Sequence, residues 1–62
     1  MTGTMRREEL LNYLLETQSP VTGKELSEKF GVSRQVIVQD IALLRASGKE
    51  IVGTMKGYLV IT

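Results

Sequence analysis

Between Thr22 and Ile41 two helix-start signals stand on either side of a single glycine, and few local folds accommodate that arrangement. Thr22 can accept a hydrogen bond from the backbone N–H of Glu25 while the Glu25 carboxylate reaches back to the N–H of Thr22, the reciprocal capping box that opens a helix. Leu26 and Phe30 lie one turn apart on the inner face of that helix. Gly31 then supplies a positive φ, so the chain reverses without a Cβ clash, and Ser33 stands where a second helix needs its N-cap. From Ser33 to Gly48 the apolar residues Ile37, Ile41 and Leu44 recur at helical spacing, which leaves Arg34, Gln35, Val38, Gln39 and Arg45 pointing elsewhere. The spacing predicts a short helix over about 23–29, a tight turn and a longer helix over about 34–47: a helix-turn-helix.

The flanking segments complete one domain, residues 1–62. After a frayed start at Met1 to Gly3, Thr4 or Thr2 can cap a first helix over about 5–17, with Glu8 and Glu9 in early turns where negative charge suits the helix dipole. Leu11, Leu14 and Leu15 are its expected buried stripe, flanked by Leu10 and Tyr13. Gln18-Ser19-Pro20 ends it, because the residue before a proline is pushed out of the α region, and Val21 follows as a short extended segment. After Gly48 helical period gives way to strand character. Ile51-Val52 and Tyr58 to Ile61 read as two strands, with Gly53-Thr54-Met55-Lys56-Gly57 as the hairpin loop. Helix, short strand, helix, helix and a hairpin over about 50–61 is the order of a winged helix-turn-helix. The expected fold is therefore mainly α (α+β), a three-helix bundle with a short strand and a C-terminal β-hairpin wing.

Composition removes several function classes. The chain has no Cys and no His, hence neither a disulfide framework nor the usual structural zinc ligands, and no metal site is expected. Its serines have no evident base and its acids are scattered, so a catalytic centre is not expected either; a phosphate-binding glycine loop is also missing. With no long apolar run, the expectation is a soluble, cytosolic domain without a membrane span. The formal net charge of +1 hides an asymmetry. Residues 1–28 carry Arg6, Arg7 and Lys24 against Glu8, Glu9, Glu16, Glu25 and Glu28, a balance of −2. Residues 29–62 carry Lys29, Arg34, Arg45, Lys49 and Lys56 against Asp40 and Glu50, a balance of +3, and so the basic excess lies with the second motif helix and the wing.

The outer face of that helix carries Gln35, Gln39, Ala42 and Ala46, with Arg34 and Val38 on its flanks, and no acid near its start. Glutamine can pair bidentately with adenine, valine can touch a thymine methyl and alanine permits close approach, so Gln35, Val38 and Gln39 are the expected base readers of a major groove. Thr22, Lys24, Ser33 and Arg34, at the starts of the two motif helices, are the expected phosphate contacts; for Thr22 and Ser33 capping is an equally good role. Thr54 and Lys56 are the expected wing contacts. Arg45 is open between a phosphate contact and a pair with an acid on a neighbouring helix. Asp40 is expected to pair with an arginine of the first helix, because an acid aimed at phosphates weakens binding. Val36 and Leu43 form an apolar edge, and from it comes the alternative reading: a winged helix that docks on a protein and does not bind DNA.

Thr22-Gly23-Lys24-Glu25-Leu26, Phe30-Gly31-Val32-Ser33-Arg34, Ile37, Asp40-Ile41, Leu44-Arg45, Gly48, Ile51 and Gly57-Tyr58 together resemble the N-terminal winged-helix domain of biotin-repressor-like bacterial regulators. The run from Ser33 to Ile41 is most similar to the nicotinate-responsive repressors of NAD biosynthesis. The resemblance implies a transcriptional repressor that binds a double-stranded DNA operator as a homodimer and answers to a pyridine carboxylate. Such regulators carry the effector and a metal in a second, larger domain. This chain stops at Thr62, so the expectation is the DNA-binding module alone, excised or unusually short, with nicotinate and metal belonging to an absent C-terminal domain.

Overall fold

Each of three helices begins at a side-chain cap in the computed structural model, which describes residues 2–61. In α1 (Gly3–Thr17) the Thr2 hydroxyl accepts from Met5 N; in α2 (Gly23–Phe30) Thr22 accepts from Glu25 N; in α3 (Arg34–Ala46) Ser33 accepts from Val36 N. These bonds measure 3.1, 3.1 and 3.2 Å and satisfy backbone donors that a helix leaves unpaired at its start. The capping box at Thr22 is half made: among the described residues the hydroxyl bond forms and the return bond from Glu25 does not. Gly31 caps α2 at φ 67°, the left-handed turn expected of it.

The first helix differs from its sequence reading in two ways. It starts at Gly3, capped by Thr2 and not Thr4, so Glu8 and Glu9 lie beyond the first turn, where the dipole is weak. Of the frayed start expected over Met1 to Gly3, Met1 lies outside the described residues and Gly3 is helical. Its buried residues are Leu10 and Leu14, while Leu11 and Leu15 are only half-buried. The helix is rotated toward Leu10 because Asp40 of α3 is pinned to Arg6, one turn before Leu10 on the same face.

The wing is tighter than expected. Strands β1 (Ile51–Thr54) and β2 (Gly57–Val60) pair antiparallel, Ile51 with Val60 and Thr54 with Gly57, so Gly53 and Thr54 are strand residues and only Met55-Lys56 form the connection. Ile61, expected in the second strand, lies just past it and donates its N–H to Glu50 O. The core gathers Leu10, Leu14, Val21, Leu26, Ile37, Ile41, Leu44 and Ile51, contributed by every element except β2, whose Tyr58 and Val60 pack against it.

Val21 couples the wing to the bundle. Its N–H donates to Tyr58 O at 2.9 Å and its carbonyl accepts from Tyr58 N at 2.7 Å, an isolated bridge that adds a third, one-residue strand beside β2. At the neighbouring Gly57, with φ 132°, a Cβ would lie 2.7 Å from Thr22 N and closer still to the Val21 carbonyl. Only glycine fits that approach. Gly57→Ala should therefore lower stability by about 2–4 kcal/mol, a Tm loss of roughly 10 °C or more. Gly48→Ala, with a similar positive φ of 96° but open space around it, should cost about 1 kcal/mol from backbone strain alone. Thermal denaturation of both variants checks the contrast; equal losses would remove the packing argument.

Candidate nucleic-acid interface

A single buried carboxylate sets the angular position of α3. Asp40 is 2% exposed and lies on the helix face that carries Ile37, Ile41 and Leu44 inward. Arg6 Nε donates to its Oδ2 at 2.6 Å, Arg6 Nη2 to Oδ1 at 3.1 Å and Arg7 Nη1 to Oδ1 at 3.3 Å. The expected arginine pair is present, and it recruits two arginines where one was expected. Among the described residues no buried side-chain nitrogen or oxygen lacks a partner. Burial pushes the Asp40 carboxyl up, but the hydrogen bonds and charges of Arg6 and Arg7 outweigh it and hold the group below its ordinary value.

With Asp40 inward, the opposite face of α3 is turned to solvent. Arg34, Gln35, Val38, Gln39, Ala42 and Ala46 are all exposed, Val38 by 52%. The structure thus brings the three expected base readers onto one free, acid-poor face, two of them one turn apart.

The hydroxyls at the helix starts divide by what their protons do. Thr22 and Ser33 use an oxygen lone pair to cap, and neither hydroxyl donates to another group among the described residues. Their protons remain available to an anion arriving at the helix N-terminus, so capping and phosphate contact are compatible. Thr54 differs: its hydroxyl donates to Gly57 O at 2.8 Å and accepts from Lys56 N at 3.1 Å. Its proton is committed to the turn, which leaves Lys56 as the side chain the wing tip can offer to a phosphate.

The cations sort in the same way. Arg45 Nε donates to Ile51 O at 2.7 Å, a role outside both sequence alternatives, and ties the end of α3 to the first strand of the wing. Lys29, counted in the basic excess, has its ammonium 4.5 Å from the centre of the Tyr13 ring and 5.9 Å from that of Phe30. Lys24, Arg34, Lys49 and Lys56 enter no ion pair among the described residues. Lys24 lies in the first turn of α2, beside the wing that Gly57 and Tyr58 hold against Val21. Sequence reasoning did not single out Met55, which stands fully exposed at the wing tip. Among the described residues there is no group of three or more His, Cys, Asp or Glu able to bind a metal, and no helix long and apolar enough to cross a membrane.

Removing the buried carboxylate tests this frame. Asp40→Ala should lower stability by about 2–3 kcal/mol, since the part-exposed arginines can turn to water. Because the Asp40 pKa is depressed by folding, its stabilisation is complete above its ordinary 3.8 and is lost as pH falls from there through the lower folded value. Urea unfolding between pH 7 and pH 2 should show this acid limb in the parent chain and a smaller one in the variant.

Comparison with known proteins places this geometry in context. A family model described as "HTH domain" matches residues 6–59. The chain is 54% identical over 57 residues to the "Transcription repressor NadR" of Bacillus subtilis, covering 92% of this chain and 32% of that protein. It is 48% identical over 60 residues to the "Probable transcription repressor NiaR" of Thermotoga maritima, covering 92% and 34%. The chain thus spans about a third of the length of the curated relatives it matches.

Proposed function

The chain belongs to the HTH domain family, and we propose that it is the DNA-binding module of a bacterial transcription repressor, one that controls genes of NAD biosynthesis or nicotinate uptake. The observation that carries the reading is the free face of α3, where amides, a valine and small residues stand exposed while the one acid of the helix is buried. On this reading α3 enters a major groove. Gln35, Val38 and Gln39 read bases, and Lys24 and Arg34 hold phosphates together with the hydroxyl protons of Thr22 and Ser33. Lys56 adds a phosphate contact from the wing, its backbone set by Thr54.

One module covers one half-site, so two copies occupy a palindromic operator, and a single copy binds modestly with a steep salt dependence. On this reading the nicotinate and the metal implied by the family resemblance belong to a C-terminal domain of such repressors.

The test is an amide chemical-shift titration with a random duplex, at low and then at higher salt. Shifts should concentrate at Thr22 to Lys24, at Ser33 to Gln39 and at the wing tip, and should fade as salt rises. Changes that ignore salt and centre on Val36 and Leu43 would instead support docking on a protein. After selection of an operator from a random pool, Gln39→Ala should cost about 1–3 kcal/mol on that sequence and little on random DNA. Lys24→Ala should weaken both alike and reduce the salt slope by about 1.

A further inference from the structure

Met55 is fully exposed, the most exposed large apolar side chain among the described residues, and it stands at the tip of a hairpin whose positive φ falls on Gly57. Single exposed apolar residues are common on protein surfaces. What distinguishes Met55 is the rigidity of its mount. The Thr54 hydroxyl closes the turn through Gly57 O and Lys56 N. Gly57 abuts the Val21 and Thr22 backbone, Tyr58 exchanges two hydrogen bonds with Val21, and Arg45 of α3 holds the carbonyl of Ile51 at the base of β1. The tip end is thus braced against the start of α2, where Thr22 and Lys24 lie, and the base of the hairpin is tied to the end of α3. A side chain that gives the fold no packing is held in a defined place relative to the candidate DNA-binding face.

Resting on the proposed DNA-binding function, we propose that Met55 is an apolar wedge that enters the minor groove beside the major-groove site and presses on a base step. The minor groove, about 6 Å wide, admits one unbranched side chain from a hairpin tip more readily than the whole two-stranded ribbon. Methionine is flexible and polarisable, suited to the uneven surface of partly unstacked bases, and apolar wedges of this kind are a known means of minor-groove binding. Lys56, the next residue, sits where it can hold a flanking phosphate while Met55 is inserted. Pyrimidine–purine steps, which unstack most easily, are the preferred site.

The chain has three methionines, Met1, Met5 and Met55, so carbon-13 labelling of their terminal methyl groups gives three NMR signals, assigned with Met55→Ala. Titration with a random duplex at low salt should move the Met55 methyl upfield, into the ring currents of stacked bases, and leave the Met5 methyl of α1 near its free position. Met55→Ala should bind about tenfold more weakly, with the salt slope unchanged because no phosphate contact is lost, and Met55→Leu should recover most of the affinity. The substituted side chain touches no core residue, so both variants should keep the parent Tm. A Met55 methyl that stays at its free shift while the amides of α3 move would overturn the wedge and leave the DNA reading standing. Unchanged affinity of Met55→Ala would do the same. An absence of any shift on α3 would overturn both.

Discussion

The close approach of the wing to the start of α2 is the contact on which the rest of the structure turns. A two-stranded ribbon is marginal by itself in water. Here Val21 adds a third, one-residue strand through its paired bonds to Tyr58, and Gly57 lets the backbones meet at a distance no other residue allows. Tyr58 and Val60 then cover the core that Leu10, Leu26 and Ile37 fill, so the hairpin is both lid and lever. A fold this small, with no cysteine to form a disulfide, has little apolar area to bury, and a hairpin that contributes to the core while extending from it uses that area twice.

The same economy appears in α3. A helix that must leave one face free for a partner can rotate unless something specifies its angle. Ile37, Ile41 and Leu44 supply an apolar stripe that tolerates some roll; the buried carboxylate of Asp40, bonded to Arg6 and Arg7, does not. A buried ion pair is a weak source of net stability and a better source of specificity, because only one arrangement satisfies its hydrogen bonds. It also keeps the acid of α3 out of the exposed face, where it would repel a polyanion.

Electrostatics at this scale depends on which cations are committed and which remain free. The positive balance of residues 29–62 includes Lys29, held over an aromatic ring, and Arg45, held on a wing carbonyl. Neutral partners leave those two charges in place and fix only their positions; Arg34 at the start of α3, Lys49 and Lys56 around the hairpin and Lys24 of α2 enter no ion pair among the described residues. Protons follow the same division: two threonine hydroxyls with the same chemistry differ in function because one, in the wing, has already given its hydrogen to Gly57.

Most of the fold was legible in the chain because its punctuation is local. The caps at Thr22 and Ser33, the turn at Gly31 and the stop before Pro20 each act over three or four residues, and a periodic apolar stripe follows from the helix repeat. The base-reading candidates were legible for the same reason, as the residues left over by that stripe. Less legible were the start and roll of α1, where five neighbouring apolar or aromatic residues from Leu10 to Leu15 leave the buried face underdetermined until Arg6 finds Asp40, 34 positions away. The length of the wing turn was also hidden, since glycines at both ends of Gly53–Gly57 suit a loop as well as a strand end. What the sequence determined by itself was therefore the set of elements, their order and the exposed face of the second motif helix. Tertiary structure alone decided where the wing docks and how α1 is rolled, because each depends on a partner remote in the chain, which neither periodicity nor capping specifies.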